Sequence, residues 1–347
     1  MAPIISTREL SKTFRRKGGE EVVAVSDLTM DIEPGSLTAF LGPNGAGKST
    51  SLRMLTTLLP PTSGHATVCG FDVAREQADV RRSIGYIGQK NGAAQYYRVR
   101  DELVSQGAFY GLSRTERRQR ADELLEILGL TELATRTTMT LSGGQRRRVD
   151  IALGLVPAPR LLFLDEPSTG LDPQSRSHLW DHILTLRERY GMTLFLTTHY
   201  LDEADRFAER VMIVDQGRLI ADDTAARLKA NLAGDRIVLT LAGAVADDGA
   251  LALLRRVAAR GGDVEQAAVA APEGAAVRCT VVVDHGDRVL PGLLASLAAA
   301  GHEVLAAELH QPTLDDVFLG LTGRSLREEQ ATVEAPAQPA LVPGGPQ

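Results

Sequence analysis

The sequence predicts an α/β fold, a largely parallel sheet with helices on both faces, followed by a smaller α+β unit. Three observations predict it. Up to about residue 225, short runs rich in Val, Leu and Thr alternate with segments of helical spacing. Within that stretch GPNGAGKST, Gly42 to Thr50, joins a strand-like run directly to a helix-like one. Near Leu232 the composition shifts towards Ala, Val and Gly, and the order becomes β-α-β-β-α-β. Alternation of strands and helices implies parallel pairing with covered faces. The second order is that of a split βαβ, or ferredoxin-like, unit.

The elements follow in turn. EEVVAVSDLTMDI and SLTAFLG read as strands, and GKSTSLRMLTTLL as a helix stopped by Pro60-Pro61. RRSIGYIGQ is a further short strand. Residues 99–130 have helical spacing, and Ser113 with Glu116 fits a capping box at the start of the second helix. They belong to a helical subdomain spanning about residues 90–157. Ser142 caps a helix running to Val156 and ended by Pro157. RLLFLDEP is a buried strand, QSRSHLWDHILTLRERY a helix, MTLFLTTH a strand and LDEADRFA a helix. RVMIVDQGRLIADD is a hairpin turning at Gln216-Gly217. The expected domains are residues 1–231 and 232–323. The second closes with the helix TLDDVFLGLTG, where Leu314, Val317, Phe318 and Leu321 lie at i, i+3, i+4 and i+7, so one face must be buried. Residues 324–347, rich in proline and poor in apolar residues, read as a disordered tail.

A chain of 347 residues with 44% hydrophobic residues is long enough for one large or two ordinary domains with proper cores. A net charge of -6 argues against a general nucleic-acid binder. Cys69 and Cys279 lie in apolar, strand-like runs and are expected as buried thiols, neither bridged nor metal-bound. No run reaches the ~20 apolar residues of a membrane helix, and MAPIISTREL lacks the apolar core of a signal peptide. The expectation is a soluble, cytoplasmic chain whose membrane role comes through a partner.

GPNGAGKST matches G-x-x-x-x-G-K-[ST] in the strand-to-helix context that makes it a P-loop, so the large domain is a P-loop NTPase. Its glycines let backbone N–H groups close around phosphates, and the helix N-terminus adds positive potential. Gly42, Asn44, Gly45, Ala46, Gly47, Lys48, Ser49 and the adjoining Thr50 are the expected nucleotide-binding residues. Lys48 reaches the β- and γ-phosphates and Ser49 ligates Mg²⁺. LLFLDEP brings Asp165 out at the end of a buried strand to hold Mg²⁺, with Glu166 placed to polarise an attacking water. His199, ending the next apolar strand, is expected to contact the γ-phosphate, where ligands gather in open α/β sheets. Gln89 ends IGYIGQ in the same way, with its amide towards Mg²⁺ or the attacking water. His178 and His182 form an i, i+4 pair but have no third ligand in view and read as a solvated helix face, as does RTERRQR. Asp315 and Asp316 sit on a helix without an evident partner.

A second phosphate-type stretch, LSGGQRRR from Leu141 to Arg148, poses a question that one nucleotide cannot answer. A P-loop, a strand-end glutamine, LSGGQ, LDEP and a strand-end histidine, in that order over residues 4–225, resemble the ATP-binding subunit of ABC transporters. The resemblance implies an ABC-type nucleotide-binding domain that pairs head to tail with a second copy of itself. Each ATP then lies between the P-loop of one copy and Ser142, Gly143, Gly144 and Gln145 of the other. It also implies that Phe14, in LSKTF, stacks on adenine, that Asp172, in STGLD, acts across the dimer, and that Gln89 couples the site to the membrane partner. SGGQRRRVDIALGLV and PTLDDVFLGLTG narrow the likeness to the daunorubicin-resistance group of drug and antibiotic exporter ATPases. There the permease is a separate six-helix protein. Residues 232–323 carry no nucleotide motif, and their ferredoxin-like order reads as an accessory or regulatory domain. LATRTTMT stands where large fused exporters carry a TEVGERG-like stretch, which fits the separate-subunit group.

Two other functions stay open at this level. A soluble ABC ATPase acting on DNA or ribosomes would carry a long coiled coil, zinc modules or two ATPase units, and none is seen here. An importer ATPase is separated from an exporter mainly by the LDDVFL ending.

Overall fold

The computed structural model describes residues 2–16, 19–90, 92–232, 234–243, 246–258, 264–271 and 274–326. It divides into two compact units, Met1–Thr224 and Ala225–Gln347. The expected tail lies outside the described residues beyond Leu326, whereas Ser325 and Leu326 are buried.

The first unit opens with β1 (Ile5–Arg15), β2 (Glu21–Ile32) and β3 (Leu37–Leu41), then α1 (Lys48–Leu55), β4 (Ser63–Val68) and β5 (Phe71–Asp72). α2 (Gln77–Ser83) and β6 (Ile84–Ile87) precede three helices, α3 (Val99–Phe109), α4 (Arg114–Ile127) and α5 (Gly143–Leu155). Then come β7 (Leu161–Asp165), α6 (Pro173–Tyr190), β8 (Thr193–Thr198), α7 (Leu201–Phe207), β9 (Arg210–Asp215) and β10 (Arg218–Asp223). Among the described residues, the central sheet has the order β10-β9-β3-β8-β7-β6. It is parallel except for the β9–β10 hairpin. β3, β7 and β8 are buried along their whole length, which explains their unbroken apolar runs. Phe195 of β8 packs between Phe40 and Phe163 at 5.5 and 5.7 Å. Each such ring contributes about 1.5–3 kcal/mol by leaving water.

β1, β2, β4 and β5 form a second, antiparallel sheet in the order β2-β1-β4-β5. Sequence periodicity does not reveal β1, because its register against β2 shifts three times and Glu9 has φ 51°. Each bulge resets the two-residue alternation that marks a strand. α1 ends five residues before Pro60. The Thr56 hydroxyl donates back to the Leu52 carbonyl (2.9 Å), and Thr57 turns out at φ 63°. Cys69 occupies the left-handed turn between β4 and β5, half-buried, where burial pushes its thiol up to about 11. Cys279 is buried, and both thiols are free. The capping box of Ser113 and Glu116 forms on α4, and α5 runs from the Ser142 cap to a C-cap at Val156.

The second unit comprises α8 (Ala225–Leu232), β11 (Asp235–Ala242), α9 (Asp248–Val257), β12 (Glu265–Ala271), β13 (Gly274–Val283), α10 (Gly286–Ala299), β14 (Val304–His310) and α11 (Leu314–Thr322). Its antiparallel sheet has the order β12-β13-β11-β14. Ile237, Leu239, Val281, Leu254 and Leu297 belong to its own core. α11 packs on α8, so the unit begins seven residues before the expected boundary. α11 buries Leu314, Val317 and Phe318, but Leu321 is exposed. Asp315 and Asp316 do have partners. Asp315 accepts from the Ser325 hydroxyl and the Leu326 amide (both 2.9 Å), and Asp316 closes a capping box with Thr313.

Candidate functional site

The site grows from the point where β3 ends and α1 begins. Gly42 leaves β3 so close to β9 that a Cβ would stand 2.2 Å from the Val214 carbonyl oxygen. Gly47 turns into α1 at φ 99°, a left-handed conformation that glycine adopts without strain. Asn44 and Gly45 form the exposed tip, while Ala46, Gly47 and Lys48 are buried. The β9–β10 turn supports the loop from below. Gln216 and Gly217 both have positive φ, and the Gly217 amide donates to the Ala46 carbonyl (3.0 Å).

Lys48 Nζ donates to the carbonyls of Gly42 and Pro43 (2.8 and 3.0 Å) and lies 3.4 Å from Glu166 Oε1. Burial lowers its ammonium from the usual lysine range, and Glu166 and Asp165 only partly offset this. Ser49 Oγ donates to Asp165 Oδ1 (3.1 Å), and Gln89 Nε2 donates to Ser49 Oγ (3.2 Å). Glu166 follows β7 at φ 48°, a conformation rare for a residue with a Cβ and held here by its surroundings. Its amide donates to the Thr197 carbonyl (3.0 Å), and His199 Nδ1 lies 3.2 Å from its Oε2. Burial pushes the Glu166 carboxyl up, but His199 and Lys48 outweigh it and hold the group below the usual carboxylate range. Six sequence-predicted residues, Lys48, Ser49, Gln89, Asp165, Glu166 and His199, thus form one linked cluster at the C-terminal ends of parallel strands. Thr50, in the first turn of α1, is half-buried.

The others stand elsewhere. Phe14 is a 40% exposed ring on β1 with Lys12 Nζ 5.4 Å from its centre, so it is not a core phenylalanine. Ser142 and Gln145 bind each other as the α5 capping box (3.2 and 3.0 Å). Gly143 is open, and a Cβ on Gly144 would press on Ser175 Oγ at 2.9 Å. Asp172 caps α6 through Ser175. The Ser142–Gln145 turn is closed by its own capping-box hydrogen bonds. His178 is exposed, burial lowers the half-buried His182 imidazole, and no metal-binding cluster of acidic, Cys or His residues occurs among the described residues.

Sequence reasoning missed several supports. Thr197 Oγ1 donates to Asp165 Oδ1 (2.7 Å). Buried Arg147, two residues past LSGGQ, donates to the Pro167 carbonyl (2.6 Å) and the Gly88 carbonyl (2.7 Å). It joins α5 to the segments after Glu166 and before Gln89. Asp150, one turn on, accepts from the Gly92 and Ala93 amides (2.9 and 3.0 Å). The basic run RRR hides this, since periodicity does not say which arginine is turned inward.

Fold and site define a P-loop nucleotide-binding protein in which a second glycine-rich turn is capped by Ser142 at the start of α5. A family profile described as ABC transporter matches residues 25–169. The daunorubicin resistance ATP-binding protein DrrA3 of Streptomyces coeruleorubidus is 41% identical over 89% of this chain and 94% of its own. The linearmycin resistance ATP-binding protein LnrL of Bacillus subtilis is 35% identical over 92% and 99%. An ATP-binding cassette solved as a dimer in a post-hydrolysis state with ADP and phosphate superposes with TM-score 0.58, at 27% identity over 63% of this chain and 98% of that one. The chain belongs to the ABC transporter family, as an ATP-binding subunit with the fold of an ABC ATPase.

Proposed function

We propose that this chain hydrolyses ATP to power a separate membrane permease, a six-helix protein, in the efflux of a drug or antibiotic. The observation that carries the reading is the Lys48–Glu166–His199 and Ser49–Asp165–Gln89 cluster on the P-loop. Lys48 and the loop amides bind the phosphates. Ser49 and Asp165, a hydroxyl and a carboxylate on one spot, suit Mg²⁺, which takes a few protein oxygens and completes its shell with phosphate and water. That ion supplies charge neutralisation when bound. Glu166, held ionised, orients the attacking water, and His199 contacts the γ-phosphate. Phe14, an exposed ring, stacks on adenine.

The reading includes a head-to-tail pair of this chain. Ser142, Gly143 and Gly144 cap the nucleotide of the second copy, and Asp172 acts across the interface. Support comes from the Ser142-capped start of α5, a second helix N-terminus of phosphate-binding type in a chain that already has a P-loop, and from a similar ABC transporter cassette solved as a dimer. Among the described residues, no helix is long and apolar enough to cross a membrane, which fits a subunit placed on the cytoplasmic face by its permease. The second unit serves as a ferredoxin-like accessory domain, a reading supported by its β-α-β-β-α-β order and its sheet order. The resistance relatives favour efflux over import.

The test is Glu166→Gln in the full chain. Turnover should fall by about 10²–10³ while ATP still binds, because the water-orienting charge goes and the cradle stays. With Mg-ATP, sedimentation should show a dimer that dissolves when nucleotide is removed. Normal turnover, or a monomer whose specific activity does not depend on protein concentration, would defeat the reading.

A further inference from the structure

Beneath Glu166 and His199 lies a buried carboxylate that the chemistry above does not use. Glu203, on α7, is 2% exposed. Its Oε1 accepts from the Ser168 hydroxyl and from Trp180 Nε1 (3.1 Å), and its Oε2 accepts from the Thr198 hydroxyl (2.9 Å). Thr198 Oγ1 in turn accepts the Tyr200 amide (2.9 Å). All three partners of Glu203 are neutral, and no lysine or arginine pairs with it among the described residues. Burying a carboxylate this way is costly, so a purely space-filling role would favour an apolar side chain.

The donors explain the choice. Ser168 stands two residues after Glu166, and Thr198 stands one residue before His199. One carboxylate therefore ties the loop carrying Glu166 and the strand end carrying His199 to a single anchor. Trp180, stacked on Phe207 at 4.4 Å between ring centres, holds that anchor from α6. Glu166 has no cheap conformation of its own at φ 48°, and its contact with His199 spans 3.2 Å, so small shifts of either segment open the pair. We infer that Glu203 is a positioning residue for hydrolysis, fixing the Glu166–His199 pair through Ser168 and Thr198. This rests on Glu166 and His199 being the reacting groups proposed above.

The chemistry of the anchor predicts an unusual rescue. A glutamine keeps the shape, its amide oxygen can take the Ser168 and Trp180 donors, and its nitrogen can donate to Thr198 Oγ1. No ion pair to a lysine or arginine among the described residues needs the charge. A leucine of similar size offers none of these bonds. In the full chain, Glu203→Leu should lower kcat for Mg-ATP at least tenfold with KM changed less than about twofold, since the phosphate cradle is untouched. Glu203→Gln should recover at least half of the wild-type kcat. Ser168→Ala removes one donor and should lower kcat about threefold, which keeps the test alive if Glu203→Leu does not fold. A folded Glu203→Leu with wild-type kcat overturns the inference. So does a Glu203→Gln no better than leucine, or a Ser168→Ala with unchanged kcat. If the wild-type chain itself does not hydrolyse ATP, it is the proposed function that fails.

Discussion

At Lys48 and Glu166 two opposite charges share a buried site, and their titrations are linked. A carboxylate held below its ordinary range stabilises the fold above its unfolded-state pKa, and that contribution is lost as pH falls through the lowered folded value. Lys48→Met removes one of the two groups that outweigh burial, so the Glu166 carboxyl should then titrate higher. The stability difference between wild type and Lys48→Met should therefore favour wild type more at neutral pH than at an acid pH below the lowered folded value, where Glu166 is protonated in both. Denaturant midpoints at the two pH values measure it. An unchanged difference would mean that the 3.4 Å contact carries no coupling. The residue types at this site were legible because their chemistry is fixed by spacing along the chain. Thr197 and Glu203 were not, because a hydroxyl or carboxylate at a strand or helix end has many ordinary roles until its partners are known.

α5 is the element that links the two motifs of the opening question. Its first turn presents Ser142 to Gly144, and its second turn inserts Arg147 beneath the P-loop cluster. The helix lies close to β6 because both faces are glycine there. A Cβ on Gly85 would stand 2.4 Å from the Gly154 carbonyl oxygen. Arg147→Leu would leave two carbonyls without their donor and Asp150 without its 3.8 Å partner. Breaking a buried charged network of this kind costs about 3 kcal/mol. The unfolding transition of the first unit should fall accordingly, while exposed Arg118→Leu on α4 should stay within about 0.5 kcal/mol. Equal effects from the two substitutions would remove Arg147 from this role. The element boundaries set by caps, at Ser113 and Ser142, were legible, since a capping box is local in sequence. The end of α1 was not, because Thr56 stops it by a bond that proline spacing does not announce.

On the scale of the whole molecule, the division at Thr224/Ala225 has a direct consequence for truncation. A chain cut after Leu232 keeps α8 but loses α11, leaving the apolar side of α8, with Leu228, uncovered. A chain cut after Thr224 keeps every group of the P-loop cluster and removes α8 together with α11. The 1–224 chain should bind ATP within about twofold of the full chain and sediment as a monomer without nucleotide, whereas the 1–232 chain should self-associate. Loss of nucleotide binding in a folded 1–224 chain would show that the first unit is not self-sufficient. The sequence by itself determined the P-loop, the acidic strand end, the LSGGQ cap, the alternation of the central strands with helices and the β-α-β-β-α-β order of the second unit. Each depends on residues close together in the chain, where backbone geometry leaves few choices. Only the tertiary structure decided which arginine of Arg146, Arg147 and Arg148 turns inward, that Glu203 gathers Ser168, Trp180 and Thr198, and that α8 belongs with α11. Those outcomes depend on contacts between distant segments, and burial selects among side chains that look alike in sequence.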